Sequence, residues 1–295
     1  MPLQLTQAKI EEWLALGSGN FNVRNIWEEI GIDSHEGKHH LHVILDRLEK
    51  KGVVVSKGYG NYRCIDNNAP IINWQLADPN AVIPLKFPFG EHEFVKVFPK
   101  SIIIVAGSKN AGKTAYLYNF IKLNMDSFGI DLFNSETSPE QMKERFAPLN
   151  IPNPAPFNVY ERYDNFADVI NPDRISVIDY LDLNSEVYLV GAEIDAIFRK
   201  LNNVAIIGLQ KPPPTITFIK GIKKVIERDL AYGGGFTAKR AILYITMGAN
   251  KLKLLYVKTP KQPKINPNNM CWNFTIAEDG TNFEEIQRYY GEELT

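Results

Sequence analysis

Apolar residues recur at helical spacing in three segments near the N-terminus, and a hairpin pattern follows them. The first segment begins after Thr6, the second ends at Gly31 and the third begins near Ser34. The apolar positions that share a face in these segments are Ile10, Trp13, Leu14, Val23, Ile26, Trp27, Ile30, Leu41, Ile44, Leu45 and Leu48. The stretch "VVVSKGYGNYRCI" then predicts two short strands around a glycine-rich turn. The pattern therefore predicts a small α+β domain over residues 1–66.

Three helices followed by a hairpin resemble a winged-helix domain, whose third helix often enters a DNA major groove. Residues 1–66 carry eight lysines and arginines against nine acids, so the charge does not mark a DNA surface. Winged helices also dock on proteins. Both DNA contact and protein docking therefore stay open for this domain.

The pattern changes after residue 66. Residues 67–92 are rich in Pro and Asn and lack periodicity, which is typical of a linker. From residue 93 to 295, apolar strands alternate with helical patterns, which predicts a parallel sheet with helices on both faces. Strands are expected at 101–106, 129–134, 175–180 and 204–209. After Ala241 the chain becomes strand-rich, so we expect an added C-terminal β-hairpin region.

Composition narrows the class of protein. The chain has 295 residues, a 44% hydrophobic share and a net charge of -1, so any nucleic-acid surface must be local. Two isolated cysteines, Cys64 and Cys271, fit a reducing compartment rather than a disulfide framework. No signal-peptide pattern is present, and no apolar run approaches the roughly 20 residues of a membrane span. We expect a cytoplasmic protein.

One stretch carries a clear chemical signature. "GSKNAGKT" matches the eight-position P-loop pattern between an apolar strand and a helix, and its residues are Gly107, Ser108, Lys109, Asn110, Ala111, Gly112, Lys113 and Thr114. Backbone N–H groups and the helix N-terminus form an anion cradle there. Lys113 is expected to reach the ATP phosphates, and Thr114 to offer its hydroxyl to Mg²⁺. The sequence therefore predicts binding of ATP and Mg²⁺.

Two carboxylates follow at strand ends. The apolar strand in "RISVIDYLDL" ends in Asp179, which is expected to hold Mg²⁺ through water, with Asp182 as the weaker alternative. Glu136 closes the second predicted strand, and "SPEQMKERF" opens a helix behind it.

This order resembles the RecA-like ATPases, and most closely the ATPase domain of DnaB-type helicases. In that family a strand ends in a Ser-x-Glu-like element followed by "s-x-E-Q-x-x-x-R", here Ser135 to Gln141 with Arg145. The resemblance implies that Glu136 polarises the attacking water. It also implies that Gln210, which ends "NNVAIIGLQ", reports the γ-phosphate state to a DNA-binding loop.

The resemblance extends to a strand that delivers cations to a neighbouring subunit's ATP. In the family this strand carries a Lys-x-Arg or Lys-x-Lys pair. Here "KLKLLYVKTPKQP" separates Lys258 from Lys261 by Thr-Pro, with no arginine. The resemblance implies self-association into a ring or filament with ATP at subunit interfaces, and it gives Lys258 and Lys261 this trans-acting role.

Positive charge gathers behind Gln210. Residues 211–240 hold seven lysines and arginines against two acids. A basic segment with an interleaved aromatic suits contact with a single-stranded DNA backbone, and the predicted contacts are Lys211, Phe218, Lys220, Lys223, Lys224, Lys239 and Arg240. A solvated basic surface at a subunit contact is the plainer alternative.

Two functions fit these observations. The first is an oligomeric DNA-binding ATPase that moves on or remodels DNA, as a helicase does. The second is a nucleotide-switched DNA-binding protein or helicase loader, in which hydrolysis only resets assembly. A small-molecule kinase is a weaker third reading, because no acceptor site or arginine-rich lid is visible.

Overall fold

The computed structural model describes residues 5–16, 19–67, 69, 71–181, 189–219 and 222–290, without the side chains of 16, 217–219, 222–226 and 290. Backbone contacts divide the chain into two compact units, Met1–Ala77 and Asp78–Thr295. None of the described helices is long and apolar enough to cross a membrane.

The first unit packs three helices on a small antiparallel sheet. Its elements in chain order are α1 (Gln7–Leu16), β1 (Asn20–Asn22), α2 (Val23–Ile30), α3 (His35–Lys50), β2 (Val54–Gly58) and β3 (Asn61–Cys64). The strands pair in the order β1-β3-β2. The short polar strand β1 was not predicted, because "NFN" has no apolar alternation to identify it.

Local capping sets the helix ends in this unit. Asn22 and Ser34 accept backbone N–H bonds at the starts of α2 and α3, and Gly31 ends α2 in the left-handed region at φ 74°. The predicted apolar faces meet in one core around Ile10, Ile26 and Leu41, all at 0% exposure. The helical periodicity therefore gave the correct buried faces here.

The second unit is built on a mixed, mostly parallel sheet. Among the described residues nine strands join in the order β14-β13-β12-β11-β4-β8-β7-β5-β6. Their bounds are β4 (Ser101–Gly107), β5 (Ile130–Asn134), β6 (Asn158–Glu161), β7 (Ile175–Asp179), β8 (Val204–Gln210), β11 (Ala241–Gly248), β12 (Lys251–Val257), β13 (Met270–Ile276) and β14 (Phe283–Tyr290). Strands β6, β5, β7, β8, β4 and β11 run parallel, and β12 to β14 add antiparallel.

Helices cover both faces of this sheet. They are α4 (Lys113–Asn124), α5 (Pro139–Phe146), α6 (Val190–Lys200) and the short α7 (Gly235–Ala238). Because side chains alternate along β4, Ile103 packs in the cluster with α4, and Ile104 packs in the cluster with α6. The predicted α/β class, with a C-terminal antiparallel addition and a small preceding α+β unit, is confirmed.

The segment predicted as a linker has two parts. Trp74–Leu76 forms one exposed turn of 3-10 helix. Further on, Leu85, Phe87 and Phe89 are buried in the core of the second unit. An extended Pro- and Asn-rich segment carries no period by which its buried positions could be predicted.

A two-stranded antiparallel hairpin follows β8, formed by β9 (Thr215–Ile219) and β10 (Ile222–Ile226). It is paired separately from the nine-stranded sheet. The segment after Gln210, expected as a DNA-binding loop, therefore contains a β-ribbon.

Candidate nucleotide site

The P-loop connects the buried strand β4 to α4. Gly112 ends the loop at φ 89°, a conformation that favours glycine. At Gly107 a Cβ would lie 2.6 Å from Lys113 Cγ, so the absence of a side chain there lets the lysine stem fold against the loop. Both glycines are thus required by the geometry of the loop itself.

Lys113 is the first residue of α4, and its ammonium lies inside the loop. Its Nζ donates to the carbonyl oxygens of Gly107 and Ser108, each over 3.2 Å, and to Gln210 Oε1 over 3.0 Å. Burial lowers the pKa of this amine, whereas the nearby Glu136 and Asp179 raise it. The ammonium is therefore held by neutral acceptors that a phosphate can replace.

Thr114 and Asp179 lie together beneath the loop. Thr114 Oγ1 donates to Asp179 Oδ1 over 3.2 Å. Burial raises the pKa of Asp179 to about 6, with a further rise from Glu136, and Thr114, Lys113 and Arg145 oppose that rise. The other carboxylate oxygen, Oδ2, is buried without a hydrogen-bond partner. Such an orphaned oxygen beside a hydroxyl fits a hard cation. Asp182, the alternative carboxylate, lies outside the described residues.

Glu136 is held in a short, rigid turn after β5. Asn134 Oδ1 accepts bonds from the Thr137 backbone N–H and hydroxyl over 3.1 and 2.8 Å. Ser135 Oγ donates to the Tyr180 carbonyl over 2.7 Å, which ties the turn to the end of β7. The Glu136 side chain is exposed, so water can reach its carboxylate.

The strand order brings these residues to one edge of the sheet. Strand β8 lies directly beside β4, with Gln210 opposite Gly107 in the register. Strand β7 is next, followed by β5, so the carboxyl ends that carry Gln210, Asp179 and Glu136 are consecutive. In parallel sheets ligands bind at this edge.

A cavity of about 420 Å³ opens over the loop. Its walls are Lys109, Asn110, Ala111, Gly112, Lys113, Thr114, Ala115, Glu136, Glu144, Arg145, Gln210, Ile276, Asp279 and Gly280. The sequence reasoning missed the contribution of the turn between β13 and β14. No local motif marks that turn, because it reaches the site only through strand pairing far along the chain.

A larger cavity of about 1190 Å³ lies on the other side of Glu136, between α5 and β6. Apolar and aromatic side chains, including Phe146, Phe157 and Tyr160, form much of its wall. The P-loop residues line the smaller cavity and not this one, so the smaller cavity is the candidate phosphate site.

Lys258 and Lys261 lie away from their own chain's phosphate cavity. Lys258 Nζ donates to the Lys239 carbonyl over 3.4 Å, and Lys261 Nζ donates to the His92 carbonyl over 3.2 Å. Neither lysine lines that cavity, and the trans-acting role that the resemblance implies for them stays a prediction.

The predicted DNA contacts divide into three groups: residues within 218–224 in the segment of the β9–β10 hairpin, the exposed Lys239, and two cations with partners within the chain. Phe218, Lys223 and Lys224 lie on the β9–β10 hairpin, where Phe218 pairs with Lys223 in the register. Their side chains, and the whole of Lys220, lie outside the described part of the structure. Lys239 is exposed.

Two of the predicted DNA contacts, Lys211 and Arg240, have partners within the chain. Lys211 is 4% exposed, and its Nζ donates to Thr246 Oγ1 over 2.9 Å. Arg240 pairs with Asp195 of α6, with its Nε 2.6 Å from Oδ1, and its guanidinium lies 4.6 Å from the Phe198 ring. Counting charges along the sequence does not reveal that a cation is buried, so we drop Lys211 from the proposed DNA surface. The Arg240 side chain is 35% exposed, and its contact with DNA stays a prediction.

No protein-family model and no curated protein matches the chain. Among solved structures, the chain is similar to the crystal structure of the RadB recombinase, with 14% identity and a TM-score of 0.41. The match covers 64% of this chain and 92% of that one. The functional proposal is therefore based on the chain's own motifs and geometry.

Proposed function

We propose that this chain is a RecA-like P-loop ATPase that binds DNA and couples ATP hydrolysis to movement on DNA or its remodelling. The observation that carries the proposal is the convergence of Lys113, Gln210 and Glu136 on one cavity over the P-loop. A chance Gly-Lys-Thr turn would not place a glutamine on the lysine and a water-accessible carboxylate beside both.

The roles follow from the positions. Lys113 would exchange the carbonyls of Gly107 and Ser108 for phosphate oxygens. Glu136, exposed at the cavity wall, would accept the proton of the attacking water. The products are ADP and phosphate.

The site also fits Mg²⁺. Thr114 and Asp179 would hold the ion, and phosphate oxygens and water would complete its shell. When bound, Mg²⁺ neutralises charge between the β- and γ-phosphates. Asp179 contributes a buried carboxylate oxygen that has no other partner among the described residues.

DNA binding is proposed for the segment that follows Gln210. The Gln210 carbonyl accepts the Tyr232 backbone N–H over 3.0 Å, so both ends of the segment carrying the β9–β10 hairpin are tied to the sensor residue. A change at the γ-phosphate would then be transmitted to the hairpin lysines, Lys223 and Lys224, and to Lys220. Single-stranded DNA suits a short ribbon with interleaved lysines and an aromatic.

Self-association into a ring or filament belongs to the same proposal. Lys258 and Lys261 follow the end of β12 and do not line the cavity over their own P-loop, which is compatible with a trans-acting pair. The first unit, with its helices and three-stranded sheet, is proposed as a winged-helix domain that docks on DNA or on a protein.

A second candidate function is a nucleotide-switched DNA-binding protein or helicase loader. It is favoured by the absence of an arginine between Lys258 and Lys261. A slow hydrolysis step would then reset assembly instead of driving movement.

Steady-state ATP hydrolysis with and without single-stranded DNA tests the proposal. We expect DNA-stimulated turnover that Lys113→Ala abolishes together with tight ATP binding. Slow turnover that ignores DNA would favour the switch. ATP affinity retained in Lys113→Ala would show that the P-loop is not the nucleotide site.

A further inference from the structure

Arg145 is the one arginine among the described residues that line the cavity over the P-loop, where it joins the cations Lys109 and Lys113. It lies near the end of α5, and it lines the same cavity as Lys113 and Gln210. Its guanidinium makes no hydrogen bond or ion pair with any side chain in the described part of the protein. The hydrogen bond that joins this residue to another element uses its backbone carbonyl. Arg145 is half-buried, and a guanidinium that has no partner among the described residues is available to a ligand.

The charge of Arg145 is close enough to act on the buried groups of the site. It opposes the rise of the Asp179 pKa, which burial and Glu136 cause. It also opposes the rise of the Tyr118 pKa to about 12, which is caused first by burial and then by Asp179. The position of Arg145 itself is given by the cavity wall, which it shares with Lys113, Thr114 and Gln210.

The turn between β13 and β14 fixes the end of α5 that carries Arg145. Thr281, which is 1% exposed, donates from Oγ1 to the Arg145 carbonyl over 2.9 Å. The Thr281 carbonyl accepts from Asn119 Nδ2 over 2.8 Å, and the same Nδ2 donates to the Ala115 carbonyl over 2.9 Å. Thr281 thus joins the Arg145 backbone to the P-loop helix α4.

The strand that the RecA-like resemblance assigns to a trans-acting cation carries no arginine in this chain. Lys258 and Lys261 bind backbone carbonyls outside the cavity. A lysine is a point charge, whereas a guanidinium offers two parallel donors to a phosphate. Arg145, in contrast, lines the cavity over the P-loop of its own chain.

We propose that Arg145 binds the ATP phosphates in cis and stabilises the charge on the transferred phosphoryl group, with Thr281 as the residue that positions it. This proposal rests on the proposed ATPase function. Water forms the new bond to the γ-phosphorus, the bond to the β–γ bridging oxygen breaks, and the proton of the water goes to Glu136. Arg145 neither gives nor takes a proton.

The test measures single-turnover ATP hydrolysis and equilibrium binding of ATP and ADP with the full chain. Arg145→Ala should lower the hydrolysis rate about 100-fold, as the loss of one charge-stabilising donor does. It should also weaken ATP binding more than ADP binding. Arg145→Lys should recover only part of the rate. The matched control is Lys143→Ala, an exposed cation on the same helix that lines the larger cavity, and it should change neither quantity.

Thr281→Val tests whether Thr281 positions the Arg145 guanidinium. It should lower kcat about tenfold with little change in KM, because a displaced guanidinium fails at the transition state while the P-loop still binds ATP. Thr281→Ser keeps the hydroxyl and should restore kcat. A purely structural role would lower thermal stability in Thr281→Val without this kcat–KM split, and that result would overturn the positioning role.

The outcomes separate the two proposals. Suppose that the wild type hydrolyses ATP and that Arg145→Ala keeps the same rate and the same preference for ATP over ADP. That result would overturn the role of Arg145 and would still support the proposed ATPase function. If Lys258→Ala/Lys261→Ala loses the rate instead, the cation comes from a neighbour. If the wild type binds ATP no better than Lys113→Ala does, both the ATPase function and the role of Arg145 are overturned. Arg145→Gln keeps a polar side chain without the charge, and serves the same test if the alanine variant does not fold.

Discussion

The Lys113 ammonium donates to the Gln210 side-chain oxygen over 3.0 Å, and this contact joins the phosphate loop to the strand beside it. The Gln210 backbone carbonyl in turn accepts the Tyr232 N–H over 3.0 Å. One residue is therefore bonded both to the lysine that would meet ATP and to the segment proposed to meet DNA. Displacement of Lys113 towards a phosphate would release the Gln210 side chain, and the strand end could then report the change.

Gln210→Leu is expected to uncouple the two sites. Leucine keeps the approximate volume but cannot accept from Lys113, so ADP affinity should stay within about threefold because the P-loop cradle is intact. Stimulation of ATP hydrolysis by single-stranded DNA should be lost. Gln262→Leu, an exposed glutamine outside the cavity, is the matched control. Full DNA stimulation in Gln210→Leu would contradict the coupling role.

Glu136→Gln is expected to separate binding from hydrolysis. The amide keeps the size and the rigid Asn134–Thr137 turn, but it cannot accept the proton of water, so turnover should fall about 100-fold or more. ATP affinity should be retained, as measured by equilibrium binding of a fluorescent analogue. Glu140→Gln, an exposed carboxylate in the first turn of α5, should hydrolyse ATP like the wild type. Equal turnover in both variants would mean that the base lies elsewhere.

The hairpin lysines should contribute to DNA affinity through charge. Lys223→Ala/Lys224→Ala is expected to weaken binding of single-stranded DNA and to reduce the slope of log K against log salt by about 1.4, because each phosphate contact contributes about 0.7. Lys122→Ala/Lys143→Ala removes the same charge from α4 and α5 and should leave the slope unchanged. If both pairs behave alike, the hairpin is not the DNA surface, and the first unit becomes the next place to look.

The P-loop was predictable because its chemistry is local. Eight consecutive residues, Gly107 to Thr114, specify the loop conformation and the first turn of α4. Gln210 was predictable as a strand end through the resemblance, but its contact with Lys113 depends on β8 lying beside β4. Periodicity gives the strands and does not give their order in the sheet.

Residues that reach the site through long-range pairing could not be predicted. Thr281 and Asp279 arrive from a turn between two antiparallel strands more than 160 positions after the loop begins. The burial of Lys211 also depends on a partner, Thr246, on another strand. Both cases require knowledge of which strands pair, and a single sequence without a motif does not contain it.

Gly112 carries two separable constraints, a left-handed backbone and a close neighbour. Its φ is 89°, and a Cβ there would lie 2.9 Å from Ile276 Cδ1. Gly280 has φ 69° with no atom within 4 Å of its Cβ position, so Gly280→Ala should cost only the backbone strain, about 1 kcal/mol. Gly112→Ala should cost about 1–3 kcal/mol more from overpacking.

Ile276→Val removes the Cδ1 atom that causes this collision. In the Gly112→Ala background it should therefore recover most of the overpacking cost and none of the backbone strain. Urea unfolding without nucleotide gives the free energy of unfolding of the wild type, Gly112→Ala, Gly280→Ala, Ile276→Val and Gly112→Ala/Ile276→Val. Equal losses in Gly112→Ala and Gly280→Ala would show that the β13–β14 turn does not press on the P-loop.

Glu91 makes the stability of the second unit depend on pH. It is fully buried, and it accepts from Tyr116 OH over 2.8 Å and from the Phe89 N–H over 3.0 Å. Burial raises its pKa from 4.5 to about 7, against the opposing effect of these hydrogen bonds. Between those pH values the folded protein keeps a proton that the unfolded chain releases. Stability should therefore fall as pH rises through this window, by up to about 3 kcal/mol, and level off above it.

Glu91→Gln should remove this dependence, because a neutral amide resembles the protonated acid and retains hydrogen-bonding groups for Tyr116 and Phe89. The variant should be more stable than the wild type at pH 8, and the difference should shrink towards pH 5. Urea midpoints across that range measure it, with the exposed neighbour Glu93→Gln as the control. Other buried acids such as Asp179 contribute equally to both proteins. If the difference in stability between the wild type and Glu91→Gln does not change with pH, Glu91 is therefore not the titrating group.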